Sequence, residues 1–181
     1  MSKKISTGAG IFESGKEDEY GVEYKGNRLL HCRNKELQGE YVVKEGTEVI
    51  CNRAFMNRTS VNKISLPTSV LAIGESAFSG CKSLEHINIP EGIKELKKTT
   101  FSECENLKSL TLPSSIETVD NIAFDNKGLE ELEFNSVPEF KKGAFYNCTN
   151  LKRMLVPKGS KEHFMAARKI FTRAEVIEKE N

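Results

Sequence analysis

Apolar and polar residues alternate in short bursts along this chain, and the bursts return at a nearly fixed interval. "KISL" (63–66), "HINI" (86–89), "SLTL" (109–112), "ELEF" (131–134) and "RMLV" (153–156) each place an apolar side chain at every second position. Period two predicts a short strand with one buried face. Phenylalanine marks the interval: Phe55, Phe78, Phe101, Phe124 and Phe145 are separated by 23, 23, 23 and 21 residues. Val61, Leu84, Leu107 and Leu151 lie six residues after four of those rings, and Leu129 lies five after Phe124. Pro67, Pro90, Pro113 and Pro157 follow after six more, where a residue without an N–H ends a strand. Several independent anchors agree, so the chain is an internal repeat.

Each unit holds more than its strand. A bend ("TSV", "EGI", "SSI") turns Val70, Ile93 or Ile116 inward, and Ile73, Leu96 or Val119 follows three residues later. A segment such as "GESAFSGC" then supplies a small and a large apolar residue that stack on the next unit. One unit cannot bury its apolar face alone, but a stack can, which is the logic of a solenoid. Five repeats start near residues 38, 61, 84, 107 and 129, and a truncated sixth starts at Leu151. At a strand spacing of ~4.8 Å, six rungs span roughly 25 Å.

"SLPTSVLAIGESAFSGCKSL", "LEHINIPEGIKEL" and "LKSLTLPSSIETVDNIAF" resemble the BspA-type leucine-rich repeats of bacterial and protist proteins, over residues 37 to 177. The resemblance implies an α/β architecture: a right-handed solenoid with a short parallel β-sheet on its concave face and a closing C-terminal helix. It implies protein or glycan binding and carries over no catalytic residues. Departures are Arg58 and Lys127 at the repeat cysteine, Lys44 at the first proline, and Asn135 at the fifth.

An open solenoid must be capped at both ends. "GVEYKGNRLLHC" reads as an N-terminal hairpin, with Val22 and Tyr24, then Leu29 and Leu30, about a turn at Lys25, Gly26 and Asn27. Downstream, Ser160 is a helix N-cap, Glu162 sits in the first turn, and Phe164, Ala167 and Phe171 form an apolar stripe. "AEVIE" adds a last strand. The domain plan is therefore a flexible leader at 1–18, a cap hairpin at 19–37, the solenoid at 38–157, and a C-terminal cap at 158–181.

Composition narrows the function classes. A net charge of +1 over 181 residues gives no strong pull toward nucleic acid or anionic lipid. No run of 18 apolar residues predicts a membrane span, and no signal peptide is legible, so the expected location is cytoplasmic, or the cell surface or medium if a leader was removed. Five cysteines without a compact framework favour a reducing compartment. Cys81, Cys104 and Cys148 share one repeat position and read as buried small hydrophobes; whether Cys81 and Cys104 are thiols or bridged stays open. "GIFESGKE" (10–17) imitates a phosphate-binding loop, but Glu17 stands where the metal needs a hydroxyl, and no strand precedes it. His31, His86 and His163 are scattered without ligand spacing. No cofactor, metal site or catalytic set is expected, and the chain is read as no enzyme.

What remains is the outward face of the strands. Lys63 and Ser65, His86 and Asn88, Ser109 and Thr111, Glu131 and Glu133, and Arg153 line up across rungs as a partner-binding surface. A rigid scaffold loses little entropy on binding, which suits protein recognition. The face lacks aromatic anchors, which argues against single-stranded nucleic acid. The expected function is a monomeric, non-catalytic protein-binding module. The alternatives are an adhesin that binds host protein or glycan, or an immunity-type inhibitor that covers an enzyme.

Overall fold

The alternating bursts become the rungs of a β-solenoid of about seven turns. The computed structural model describes residues 5–8, 14–168 and 172–180. Strands β1 (Lys16–Glu17), β2 (Val22–Lys25) and β3 (Arg28–Cys32) begin the chain. Then two strands per coil follow: β4 (Gln38–Val42) and β5 (Val49–Ile50), β6 (Ser60–Ser65) and β7 (Ala72–Ile73), β8 (His86–Ile87) and β9 (Glu95–Leu96). The series continues with β10 (Ser109–Leu112) and β11 (Thr118–Val119), β12 (Glu131–Phe134) and β13 (Glu139–Phe140), then β14 (Arg153–Val156). Helix α1 (Lys161–Arg168) and β15 (Glu175–Glu178) close the chain. The first strands of the coils line up in parallel as one column and the second strands as another, each column interrupted once. Among the described residues no helix is long and apolar enough to cross a membrane.

Inside, the expected columns are present. Val70, Ile93 and Ile116 at the bends, and Ile73, Leu96 and Val119 in the second strands, are all buried. The five repeat phenylalanines are at most 1% exposed. Their stacking falls into two runs. Phe55–Phe78 and Phe78–Phe101 stack at 5.8 and 5.6 Å, and Phe124–Phe145 at 5.8 Å. Tyr41 extends the first run at 5.5 Å, and Phe134, Phe140 and Phe164 crowd the end of the second. Burying a ring of this size contributes about 1.5–3 kcal/mol.

Between the second strand of one coil and the first strand of the next, the chain makes a tight turn with two left-handed residues. Arg53, Ser76, Thr99, Ile122 and Gly143 occupy the first such position. Asn57, Gly80, Glu103 and Asn147 occupy the second in four of the coils. This conformation lets turn N–H groups reach the following coil, as in Phe55 N–H to Ala77 O at 2.7 Å and Phe101 N–H to Ala123 O at 3.0 Å. Asn and Gly adopt it at little cost, whereas Ile122, at φ 56°, is a β-branched residue forced into it.

The expected hairpin cap forms, with β2 and β3 antiparallel and β3 continuing in parallel to β5. Tyr24 and Tyr41 share a hydroxyl–hydroxyl hydrogen bond of 2.6 Å, and Tyr41 donates to Asp18 at 2.6 Å. Burial, with those bonds, pushes the Tyr41 phenol far above its ordinary range. The described parts of the stretch expected to be a flexible leader are held. Lys16–Glu17 pairs with β2, and buried Thr7 accepts from Asn52 N–H at 2.8 Å and from Lys97 Nζ at 2.7 Å. At the other end β15 pairs with β14, as "AEVIE" predicted, and Phe164 is fully buried. Phe171 lies outside the described residues. Ser160 precedes α1, but its hydroxyl donates back to Pro157 O, and Glu178 of β15 accepts from Lys161 N–H at 3.0 Å instead.

Two outcomes are expected. Ile122→Asn should relieve about 1 kcal/mol of backbone strain and raise Tm by about 2–4 °C; a lower Tm would refute the strain. Glu23, with a side chain only 3% exposed, accepts from Gly15 N–H and from Arg33 Nε at 2.7 Å. Those bonds, the Gly15 N–H foremost, hold its carboxyl below the usual range. A depressed folded-state pKa adds stability that is present above the unfolded value near ~4.3 and is lost as pH falls through the folded value. Glu23→Gln should therefore cost about 1.5–3 kcal/mol at pH 7 and flatten the acid limb of stability against pH in urea unfolding.

Candidate functional site

The outward strand residues stand in register. Glu40 faces Lys63, Lys63 faces His86, Ser109 faces Glu131, Thr111 faces Glu133, and Glu131 faces Arg153. Register brings opposite charges together across rungs. Lys63 binds Glu40 at 2.8 Å, Arg153 binds Glu131 at 2.7 Å, and Lys179 binds Glu133 at 3.1 Å. Thr111 Oγ1 also donates to Glu133 at 3.3 Å. The charges along this face are thus largely neutralised within it. Its middle, from His86 to Thr111, carries imidazole, amide and hydroxyl groups.

That middle is also where the sheet parts. The first column divides into β4-β6-β8 and β10-β12-β14-β15, and the second into β3-β5-β7 and β9-β11-β13, with β1 and β2 on the first of these. Both divisions lie along one junction, between residues 70–89 and residues 93–112. At the turn the junction stays bonded: Phe78 N–H donates to Thr100 O at 3.1 Å and Gly80 N–H to Ser102 O at 2.8 Å. On the strand sides neither β7 with β9 nor β8 with β10 forms a ladder.

Two departures from the repeat border the seam. In the preceding coil Val43 N–H donates to Ser65 O at 2.9 Å. At the equivalent place one rung on, Leu66 N–H donates to the Asn88 side-chain oxygen at 2.8 Å, and Asn88 Nδ2 donates to Leu66 O at 2.7 Å. The side-chain amide replaces the peptide group, so β8 ends at Ile87 although alternation predicts a strand to Ile89. The bend matters too. Ser69 donates to Thr47 O, Ser115 to Ile93 O and Ser136 to Ile116 O, at 2.7–2.8 Å, tying each coil to the one before. Gly92 occupies that place in the coil of β8 and β9, at φ 102° and without a hydroxyl.

A cleft of about 870 Å³ opens over the seam. Lys63, Ser65, His86, Asn88, Ser109 and Thr111 line it, as do Ile87, Glu91 and Asn135. Ile87 is only partly buried, while Ile64, Leu110, Leu132 and Met154 at its repeat position are buried. Glu91 accepts from Ser114 N–H at 3.1 Å and Ser115 N–H at 3.2 Å, which hold its carboxyl below the usual range, the Ser114 N–H first. The seam therefore gathers six of the nine sequence-predicted site residues. Glu131, Glu133 and Arg153 stand on later rungs outside the cleft.

The other candidates resolve as structure. Cys81 Sγ donates to Phe55 O and Cys104 Sγ to Phe78 O, each at 3.2 Å. Both are free thiols. Burial pushes Cys81 up to about 12, Cys148 up to about 11, and Cys104 well up. His163 of the C-terminal cap contacts Pro138 O of the preceding coil at 2.8 Å. Of the loop-like stretch at 10–17, residues 10–13 lie outside the described residues, and Lys16 and Glu17 form β1. Among the described residues no group of three His, Cys, Asp or Glu side chains is placed to hold a metal ion.

A family model for the BspA type leucine rich repeat region matches six copies across residues 34–163. The chain belongs to the BspA-type leucine-rich repeat family. This BspA-type solenoid is similar to a leucine rich cell surface protein of Faecalibacterium prausnitzii A2-165, at 26% identity over 81% of this chain, with a TM-score of 0.71. It spans 40% of that protein's chain. The T. pallidum leucine rich repeat protein shares the fold at 24% identity, 90% coverage of this chain and 86% of that one, with a TM-score of 0.66. So does the pneumococcal vaccine antigen PcpA, at 16% identity, 88% and 46% coverage, and a TM-score of 0.63. No curated protein matches the chain.

The thiol column gives a direct test. All five cysteines of the BspA-type stack are buried, so in folded protein at pH 8 they should resist a bulky disulfide reagent, then titrate as five after denaturation. Rapid native reaction of the ladder thiols would overturn their placement.

Proposed function

We propose that this protein is a non-catalytic binding module that grips another protein through its strand face, centred on the seam. The observation that carries the reading is the 870 Å³ cleft, where the ladder opens and Ile87 is partly bared among polar side chains. Exposed ion pairs flanking it are worth about 0.2–1 kcal/mol each and set register more than affinity. Hydroxyl, amide and imidazole groups at the centre suit a polar loop of a partner, whose apolar residue would cover Ile87. His86, Ser109 and Thr111 are carried on strands paired on their outer sides, so little ordering entropy is lost on contact.

A second reading, an adhesin acting outside the cell, is favoured by the 26% identical cell surface protein of F. prausnitzii. Protein recognition through the same face serves both readings, and the source of the partner separates them.

The test places a photo-reactive amino acid at Ser109 or Thr111 on the strand face, and at Lys98, which is exposed on the turn side. Cross-linking from the strand face to one defined protein, with none from Lys98, is the expected result. Adducts formed only from Lys98 would overturn the assignment of the face. A partner from the producing cell's cytosol favours the internal module, and one found only on other cells favours the adhesin.

A further inference from the structure

Away from the strand face, three cations converge without a counter-charge. Lys35, Arg53, Met56, Asn57, Arg58 and Thr59 line a second cleft of about 570 Å³, and no carboxylate is among them. None of these residues lines the seam cleft. Seven cations elsewhere in the stack, Lys63, Lys82, Lys94, Lys141, Lys152, Arg153 and Lys179, each hold a carboxylate within 4.0 Å. Among the described residues no ion pair involves Lys35, Arg53 or Arg58. In a chain of net charge +1, three such cations in one concavity are a local excess.

Arg58 is the informative member. It stands where the repeat has cysteine, so a guanidinium replaces a small buried thiol. Its Nε donates to Cys32 O at 3.0 Å, which fixes the stem, and the half-buried residue lines the cleft. The same charge opposes the rise that burial imposes on the Cys32 thiol, so the guanidinium lies close to the cap. A planar fork fixed at one nitrogen is pre-organised for two-point contact with an oxyanion. Arg53 and Asn57 sit in the two left-handed positions of the turn, which bring their side chains to the same concavity.

We propose that this cleft binds a multiply charged tetrahedral oxyanion, a phosphate or sulfate ester group. Arg58 would make the two-point contact, Arg53 and Lys35 would supply charge, and the Thr59 hydroxyl would donate a further bond. The site is independent of the strand-face reading, because the two clefts share no residue.

The test is calorimetric titration of the full chain with pyrophosphate, inorganic phosphate and sulfate, at ionic strength held constant with sodium chloride. Binding of pyrophosphate beyond the chloride background is expected. Arg58→Cys, which restores the repeat residue, should weaken it about tenfold, and Arg53→Gln should weaken it several-fold. A phosphate preference over sulfate points to a phosphate ester, and equal affinity points to the shared tetrahedral shape. Heats no larger than chloride gives, or an unchanged affinity in Arg58→Cys, would overturn the proposal. If Arg58→Cys lowers Tm, the exposed Arg53→Gln carries the same test, and an unchanged affinity there overturns the proposal in its turn.

Discussion

Each coil depends on the coil beside it for its register. A single turn cannot bury Phe78 or satisfy its own turn N–H groups; both tasks fall to neighbours about 23 residues away. The ring stacks on Phe55 and Phe101, and the Phe78 N–H finds Thr100 O. A slip of one residue would send every strand side chain to the other face and part every such bond. Sequence period, aromatic spine and inter-coil hydrogen bonds are therefore one constraint seen three ways. Where a unit is short, local chemistry restores the spacing. In the fourth unit Asn126 is buried, donates to Cys104 O at 2.9 Å and accepts from Gly128 N–H at 2.7 Å. Gly128 admits no side chain, since a Cβ would fall 1.9 Å from Glu105 O.

The same dependence explains why recognition chemistry collects at departures from the repeat. A perfect ladder pairs its strands and its exposed charges, as Glu40–Lys63 and Glu131–Arg153 show. Polar surface stays available where the pattern lapses. Asn88 and Gly92 are lapses that border the seam in the strand face. Arg58 lapses at the cysteine position and charges the second cleft.

Much of this was legible in the residues. The strand columns, the inward residues, the phenylalanine burial, the hairpin and the last strand all follow from period and turn chemistry. The rung alignment of the proposed face was legible as well, because a fixed period assigns each outward residue a neighbour. What spacing alone does not convey is whether adjacent strands stay paired. "HINI" alternates as well as "SLTL" does, yet the Asn88 amide competes with the backbone and ends the strand early. The signal was present as a contrast: a serine at 69, 115 and 136, and a glycine at 92. Ser160 shows the converse, since a residue suited to capping turned to Pro157 once Glu178 supplied the acceptor. Lys179, far from the repeat in sequence, reaches Glu133 only through the closure of β15 onto β14.

The seam has a mechanical consequence. Its two strand-side margins carry no ladder, while its back is laced by turn hydrogen bonds and by the Phe78–Phe101 stack. Spreading the two half-stacks apart at the front breaks no ladder, only an isolated bond such as Asn106 N–H to Lys82 O at 3.1 Å, whereas shearing them at the back breaks several. Resistance to spreading is therefore lowest at the strand face, as in a book held at its spine, with the mouth of the polar cleft as its fore-edge.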